Sequence, residues 1–425
     1  MLFEYWTTPG QTHIKATLES GDSKFGIRQE GKGTPIELKE TTITYDYQVS
    51  EIHPDILGLI CMVNFYPFIG TTVTFPKPVS SRLKRAFSTP WFKKDKKIFF
   101  TNIDNEIPKY AGDKIAISFG GGIDSTAVST MFPEAYIVHE SHLKDGDLIV
   151  SDIHNHVESL DDENGRVVVT NQRFMSKPGG WHSWPCSTAT SLLLATDMQF
   201  GIILIGAPIG ATMLFENGLR YWNRHRSRKW HGPAGSHWQS TFQTIGIPMF
   251  SPIMGVTEIE SMHISLPSMN KNVVSYCIAD NGKQCSRCKK CLRRDIIRSI
   301  IDAEYFPKWS NYDVVSNHEF LETRPLYMGH IFAYALNRID LPGWITSRLE
   351  DISPIKSEWP IRIFTDSFEF CPEPWRDILK SRVMEFIEPM TRKETKSLKQ
   401  YHLMEGKISL FSRVKLLINP DQFIR

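Results

Sequence analysis

The run Ser118-Phe119-Gly120-Gly121-Gly122-Ile123-Asp124-Ser125-Thr126 decides how this chain folds. Before it, Lys114–Phe119 is a short apolar stretch that reads as a strand, and after it Asp124–Met131 has the spacing of a helix. Three consecutive glycines carry no Cβ, so the backbone can take positive φ and approach a ligand closely. The following helix presents unbonded N–H groups and the positive end of its dipole, a ready site for an anion. Asp124 is suited to help place Mg²⁺, and the hydroxyls of Ser125 and Thr126 to meet phosphate oxygens. Asp124 and Ser125 are the candidate catalytic residues. No G-x-x-x-x-G-K-[ST] occurs in the chain, and the glycine spacing is not G-x-G-x-x-G, so the two better-known nucleotide loops are set aside. The plain alternative is a strand-to-helix turn without a ligand; the Asp-Ser-Thr that follows counts against it.

Downstream the pattern repeats. Ala135–His139, Arg166–Thr170 and Gly201–Gly206 read as further strands, with Leu148–Leu160 and Thr188–Met198 as helices between them. Strands alternating with helical crossovers predict an α/β fold with a doubly wound parallel sheet over 111–300. Residues 1–110 are expected to form a mixed α+β, strand-rich domain of their own. There Thr42–Tyr47 alternates as a half-buried strand, and His53-Pro54 opens an apolar helix through Ile56–Val63. Residues 301–425 carry helical periodicity at Phe320–Leu336, Trp375–Ile387 and Glu394–Leu403. A length of 425 residues has room for three such parts.

Four of the seven cysteines, Cys277, Cys285, Cys288 and Cys291, make C-x7-C-x2-C-x2-C. Four thiolates so close together can close a tetrahedral shell around Zn²⁺; iron–sulfur ligation uses similar spacings and stays open. Lys289, Lys290, Arg293 and Arg294 are expected to offset the thiolate charge. An odd, clustered cysteine set fits a metal site in a reducing compartment better than a disulfide framework. The N-terminus lacks a basic and then apolar leader, and no apolar run approaches the ~20 residues of a membrane span. The expected location is cytoplasmic, with no membrane partner. A formal charge of +2 is too near neutral to argue for nucleic acid by itself.

The loop resembles the SGGxDS signature of the PP-loop ATP pyrophosphatases, with Gly120 in place of the first serine and Ser118 two residues upstream. Ser275-Tyr276-Cys277 through Cys291-Leu292-Arg293-Arg294 is similar to the zinc motif of QueC-like (7-cyano-7-deazaguanine synthase-like) proteins. Phe250–Ile259 resembles their P-L-x-x-x-T-K-x-E-I segment, with Glu258 where a lysine is expected. The resemblance covers roughly 112–300 and implies an adenine nucleotide alpha hydrolase-like fold. It implies ATP bound by Ser118, Phe119, Gly120, Gly121, Gly122, Ile123, Asp124, Ser125 and Thr126, with His139 near the adenine. ATP is then split between its α and β phosphates, with Mg²⁺, to adenylate a small carboxylated heterocycle for amide or nitrile formation. Long QueC-like proteins also occur in bacterial antiphage defence systems.

Two alternatives stand beside this reading. One is PP-loop sulfur transfer to RNA or a small molecule, with Cys186 as the thiol; the other is a non-catalytic nucleotide sensor. The basic–aromatic run Arg220–His231 suits stacking and phosphate attraction, and equally describes a solvated loop. With the terminal regions it suggests docking of a protein acceptor, and less readily of nucleic acid; homodimerisation is the plainer use of those regions. His139-Glu140-Ser141-His142 and His154-Asn155-His156 lack a third metal ligand nearby.

Overall fold

The structure, a computed structural model, describes residues 1–27, 35–89, 92, 97–144, 147–148, 151–172, 184–214, 236–269, 274, 284–324 and 326–401. The chain folds as two compact units. The first takes in Met1–Gly120, Pro133–Ile205 and His231–Phe250, and the second Gly121–Phe132, Gly206–Trp230 and Ser251–Arg425.

The first unit is built on one mixed sheet. Its strands are β1 (Leu2–Thr8), β2 (Gln11–Thr17), β3 (Thr42–Tyr45), β4 (Lys114–Ser118), β5 (Tyr136–Lys144), β6 (Gly165–Thr170), β7 (Phe200–Leu204) and β8 (Met249–Phe250). Their spatial order is β1-β2-β3-β6-β5-β4-β7-β8. From β6 to β8 the pairings along this order are parallel, with Val167 opposite His139, Ile117 opposite Ile137 and Ala116 opposite Ile203; a ninth strand, Asp147–Leu148, pairs antiparallel with the end of β5. Numbered along the chain, the five parallel strands lie in the order 3-2-1-4-5, as in doubly wound α/β sheets. Strand β7, Phe200-Gly201-Ile202-Ile203-Leu204, is buried throughout, as an interior parallel strand must be.

Residues 1–110 do not form the separate domain expected of them. Strand β3 pairs antiparallel with β6, placing Tyr45 opposite Thr170, so β1–β3 extend the parallel sheet, while Phe25–Ile27 with Pro35–Glu37 and Thr72–Val73 with Phe99–Phe100 make two small sheets apart from it. The Tyr45 hydroxyl donates to Gln172 Oε1 at 2.7 Å, and the Thr44 amide to Asn171 Oδ1 at 2.9 Å. The expected helix after His53 is present as Pro54–Phe65, capped by the His53 ring and buried from Asp55 to Phe65. Leu148 belongs to a short strand, and the helix expected there is confined to Asp152–Glu158.

The second unit is helical. Ile123–Met131 packs on Glu258–Met269, which packs on Lys289–Ile301, which in turn packs on Gly329–Ala335. The segment beyond 301 is fastened into this same unit: the Phe364 amide donates to the Gly255 carbonyl, and the Thr257 hydroxyl to the Pro360 carbonyl. The single helix expected over Phe320–Leu336 is two, Val315–Glu322 and Gly329–Ala335. The chain extends at Thr323 and turns through a left-handed Met328 (φ 55°) between them. Arg392–Gln400 starts with a capping box between Thr391 and Glu394. Among the described residues no helix is long and apolar enough to cross a membrane.

Candidate functional site

The glycine run leaves β4 and enters the helix Ile123–Met131, as its sequence pattern predicts. Gly121 takes φ +66°, the left-handed turn that glycine allows. Among the described residues a Cβ at Gly120 or Gly122 would meet nothing within 4 Å, so they leave the space over the loop open. Gly122 is the N-cap and offers no side chain, which leaves the first-turn amides without a side-chain acceptor. These features fit a phosphate group.

The side chains divide into those that build the loop and those left over. The Ser118 hydroxyl donates to the Ser187 carbonyl at 2.7 Å, so its proton serves the scaffold. The Phe119 amide donates to the Val138 carbonyl, and its carbonyl accepts from His139 Nδ1 at 2.8 Å. Burial pushes the His139 imidazole below its usual range, against the opposing hydrogen bond to Phe119. Ile123 and Ser125 are buried, and the Ser125 hydroxyl donates to the Gly122 carbonyl at 3.1 Å. Thr126 is buried, and its Oγ1 has no hydrogen-bond partner among the described residues.

Asp124 is half-buried; its Oδ1 is sealed from solvent and meets no close hydrogen-bond partner among the described residues, although the Ser261 hydroxyl lies near enough to favour the carboxylate. Burial first, and then the charge of Glu258, push its carboxyl up to about 7, against the opposing pull of Arg294 and Lys290. Glu258 heads the helix Glu258–Met269 and is buried; its Oε2 is hydrogen-bonded to His330 Nε2 at 2.8 Å, while Oε1 has no partner among the described residues. A methyl group at Gly210 would lie 2.3 Å from that Oε1, and one at Gly206 only 2.4 Å from the Ser125 amide nitrogen. Both glycines let backbone close on the site. Neither His330 nor Gly210 carries a sequence signal; Glu258 carries one through its departure from the expected lysine, and Gly206 ends the run Ile203-Leu204-Ile205-Gly206, which is similar to the I-V-G strand of QueC-like proteins. The charges of Lys290 and Arg294 also favour the Asp124 carboxylate.

Of the expected metal ligands, Cys277 lies outside the described residues. The Sγ atoms of Cys285, Cys288 and Cys291 all lie within 4.8 Å of one another, and this trio can hold a metal ion. Cys285 and Cys291 are 3.7 Å apart, close to the roughly 3.8 Å between ligands set at ~2.3 Å around a tetrahedral zinc. Burial and then the charge of Cys288 raise the Cys291 thiol, so a cation is what would let the group ionise together. Among the described residues no other His, Cys, Asp and Glu group converges in this way. His154 is held by Ser141 and Glu158, and His142 by Glu140. The Cys186 thiol is buried and donates to the Val63 carbonyl at 2.7 Å. The basic–aromatic run 220–231 lies outside the described residues.

A family of unknown function (DUF6395) matches residues 237–402, a span that holds Glu258, the cysteine trio and His330 and stops short of the glycine loop. No curated protein and no solved structure matches the chain.

Proposed function

We propose that this chain is an ATP-splitting ligase of the PP-loop, QueC-like type, which transfers AMP to the carboxylate of a carboxy-deazaguanine-like heterocyclic acid. The observation that carries the reading is the glycine loop. It follows the first strand of a 3-2-1-4-5 parallel sheet and ends at a helix with no side-chain cap, under open space at Gly120 and Gly122. Its amides and the Thr126 hydroxyl would hold the departing pyrophosphate as charge develops on it. Asp124, whose Oδ1 meets no close hydrogen-bond partner among the described residues, would hold Mg²⁺, which when bound neutralises phosphate charge. The chemical logic is the leaving group: oxide is a poor one from an acyl carbon, and AMP is a good one.

The activated acyl group then passes to an amine, either ammonia or an amine of a partner protein. Zn²⁺ at Cys285, Cys288 and Cys291, with Cys277 as fourth ligand, has a structural role in this reading. Sulfur transfer is the weaker alternative, because the Cys186 thiol it would use is buried against backbone.

The test is incubation of the full chain with ATP, Mg²⁺, carboxy-deazaguanine and ammonia, whose attack on the acyl carbon releases AMP. AMP and pyrophosphate are expected, with Asp124→Ala or Ser125→Ala lowering turnover by about 100-fold or more. ADP formed without pyrophosphate would remove the PP-loop reading, and tight ATP binding without turnover would favour the sensor.

A further inference from the structure

The helix Lys289–Ile301 carries a buried aspartate. Asp295 stands one turn beyond Cys291 and is 2% exposed. Its carboxylate accepts from Gln284 Nε2 at 2.7 and 2.9 Å, from the Tyr305 hydroxyl at 2.8 Å and from the Tyr312 hydroxyl at 2.6 Å. Gln284 directly precedes Cys285. A second tie lies next to Cys288: the Asn317 amide donates to the Arg287 carbonyl at 2.8 Å and to the Tyr312 carbonyl at 2.8 Å. Between the two ties Ser286 is held at φ +52°, a left-handed conformation that a serine adopts only when its surroundings impose it. The loop joining Cys285 to Cys288 is therefore fastened at both ends.

We propose that Asp295 and Asn317 are positioning residues of the metal knuckle, and that the segment from Tyr305 to Asn317 is its outer shell, holding the Cys285 and Cys288 thiols near ligand spacing. This rests on the assignment of a metal to the cysteine trio. Bringing thiolates together costs chain entropy and mutual repulsion. A scaffold that meets part of that cost during folding leaves more of the ligand-bond energy for the ion, and it appears as tighter binding. The phenols suit this role, because burial and then the Asp295 charge push Tyr305 up to about 12, so it remains a donor at every working pH. Coupling runs both ways, so the ion in turn tightens the segment.

The experiment uses the full chain and zinc, with affinity read by competition against a chromogenic chelator. Gln284→Ala and Asn317→Ala are each expected to weaken zinc binding about 10- to 100-fold. Zinc affinity within about twofold of wild type, with melting temperature lowered equally in stripped and loaded protein, would show the ties to be structural only and overturn the proposal. A second arm needs no substitution. Stripping zinc from the wild type should speed amide hydrogen exchange across 305–317 while leaving the helix 54–65 unchanged, and unchanged exchange at 305–317 also overturns it. Wild-type protein that takes up no zinc overturns the metal assignment and this proposal together. Normal zinc uptake by both wild type and variants overturns this proposal alone.

Discussion

Asp124 and Asp295 both sit on helices of the second unit, and their carboxylates are in opposite states. Asp295 has both oxygens bonded, by three side chains that converge on it. Asp124 has a sealed oxygen with no close hydrogen-bond partner among the described residues, and burial together with Glu258 pushes it up to about 7. Buried polar groups are nearly always paired, so a satisfied acid is a tie within the fold and an unsatisfied one asks for a ligand. One helix serves both. Lys290 and Arg294 are a turn apart on Lys289–Ile301 and act on Asp124, while Cys291 and Asp295, also a turn apart, serve the knuckle. Cys291 of the cysteine trio and the two cations whose charge acts on Asp124 thus share one helix.

The comparison can be broken at several levels. The largest effect is expected from Cys288→Ser, which should lose the metal and destabilise the chain by several kcal/mol, since structural zinc contributes about 10–16 kcal/mol in isolated fingers. Metal analysis with thermal unfolding reads both. Asp295→Ala should cost roughly 3–5 kcal/mol by stranding buried donors, against about 0–1 kcal/mol for Asp124→Ala. Equal losses in denaturant titrations would erase the distinction between the two acids. Gly206→Ala should cost about 1–3 kcal/mol, because its methyl would sit 2.4 Å from the Ser125 nitrogen; Gly120→Ala, facing open space, should stay within about 0.5 kcal/mol.

The smallest effect concerns pH. Asp124 binds its proton more tightly folded than unfolded, so its contribution is present below about pH 4 and lost as pH rises through about 7. Melting temperatures of wild type and Asp124→Asn, whose amide mimics the protonated acid, should therefore lie closest near pH 5 and diverge in the variant's favour by pH 8, by the equivalent of about 1 kcal/mol or more. A constant difference across that range would mean that Asp124 is not held as described.

Local features were legible and distant ones were not. The strand, glycine turn and helix from 114 to 131 are contiguous, and their pattern is a matter of neighbouring residues. The cysteine spacing reads as a metal motif for the same reason. The pairing of Tyr45 with Gln172 joins positions 127 apart, and nothing near Thr42 announces that its partner strand begins at Gly165. The helix over Phe320–Leu336 was overextended because periodicity continues across a left-handed Met328 that only tertiary packing fixes. His330 gave no sign of meeting Glu258, 72 positions away.

By itself the amino-acid sequence determined the α/β class, the glycine loop between strand and helix, and the cysteine motif, because each rests on short-range spacing, backbone freedom or side-chain chemistry. Only the tertiary structure decided that β1–β3 extend the parallel sheet and that the chain divides as 1–120 and 121–132 across its own loop. It alone set Asp124 against Glu258 and Asp295 among Gln284, Tyr305 and Tyr312. Those outcomes depend on which buried polar atoms find partners, and that is settled by the packing of segments far apart in the chain.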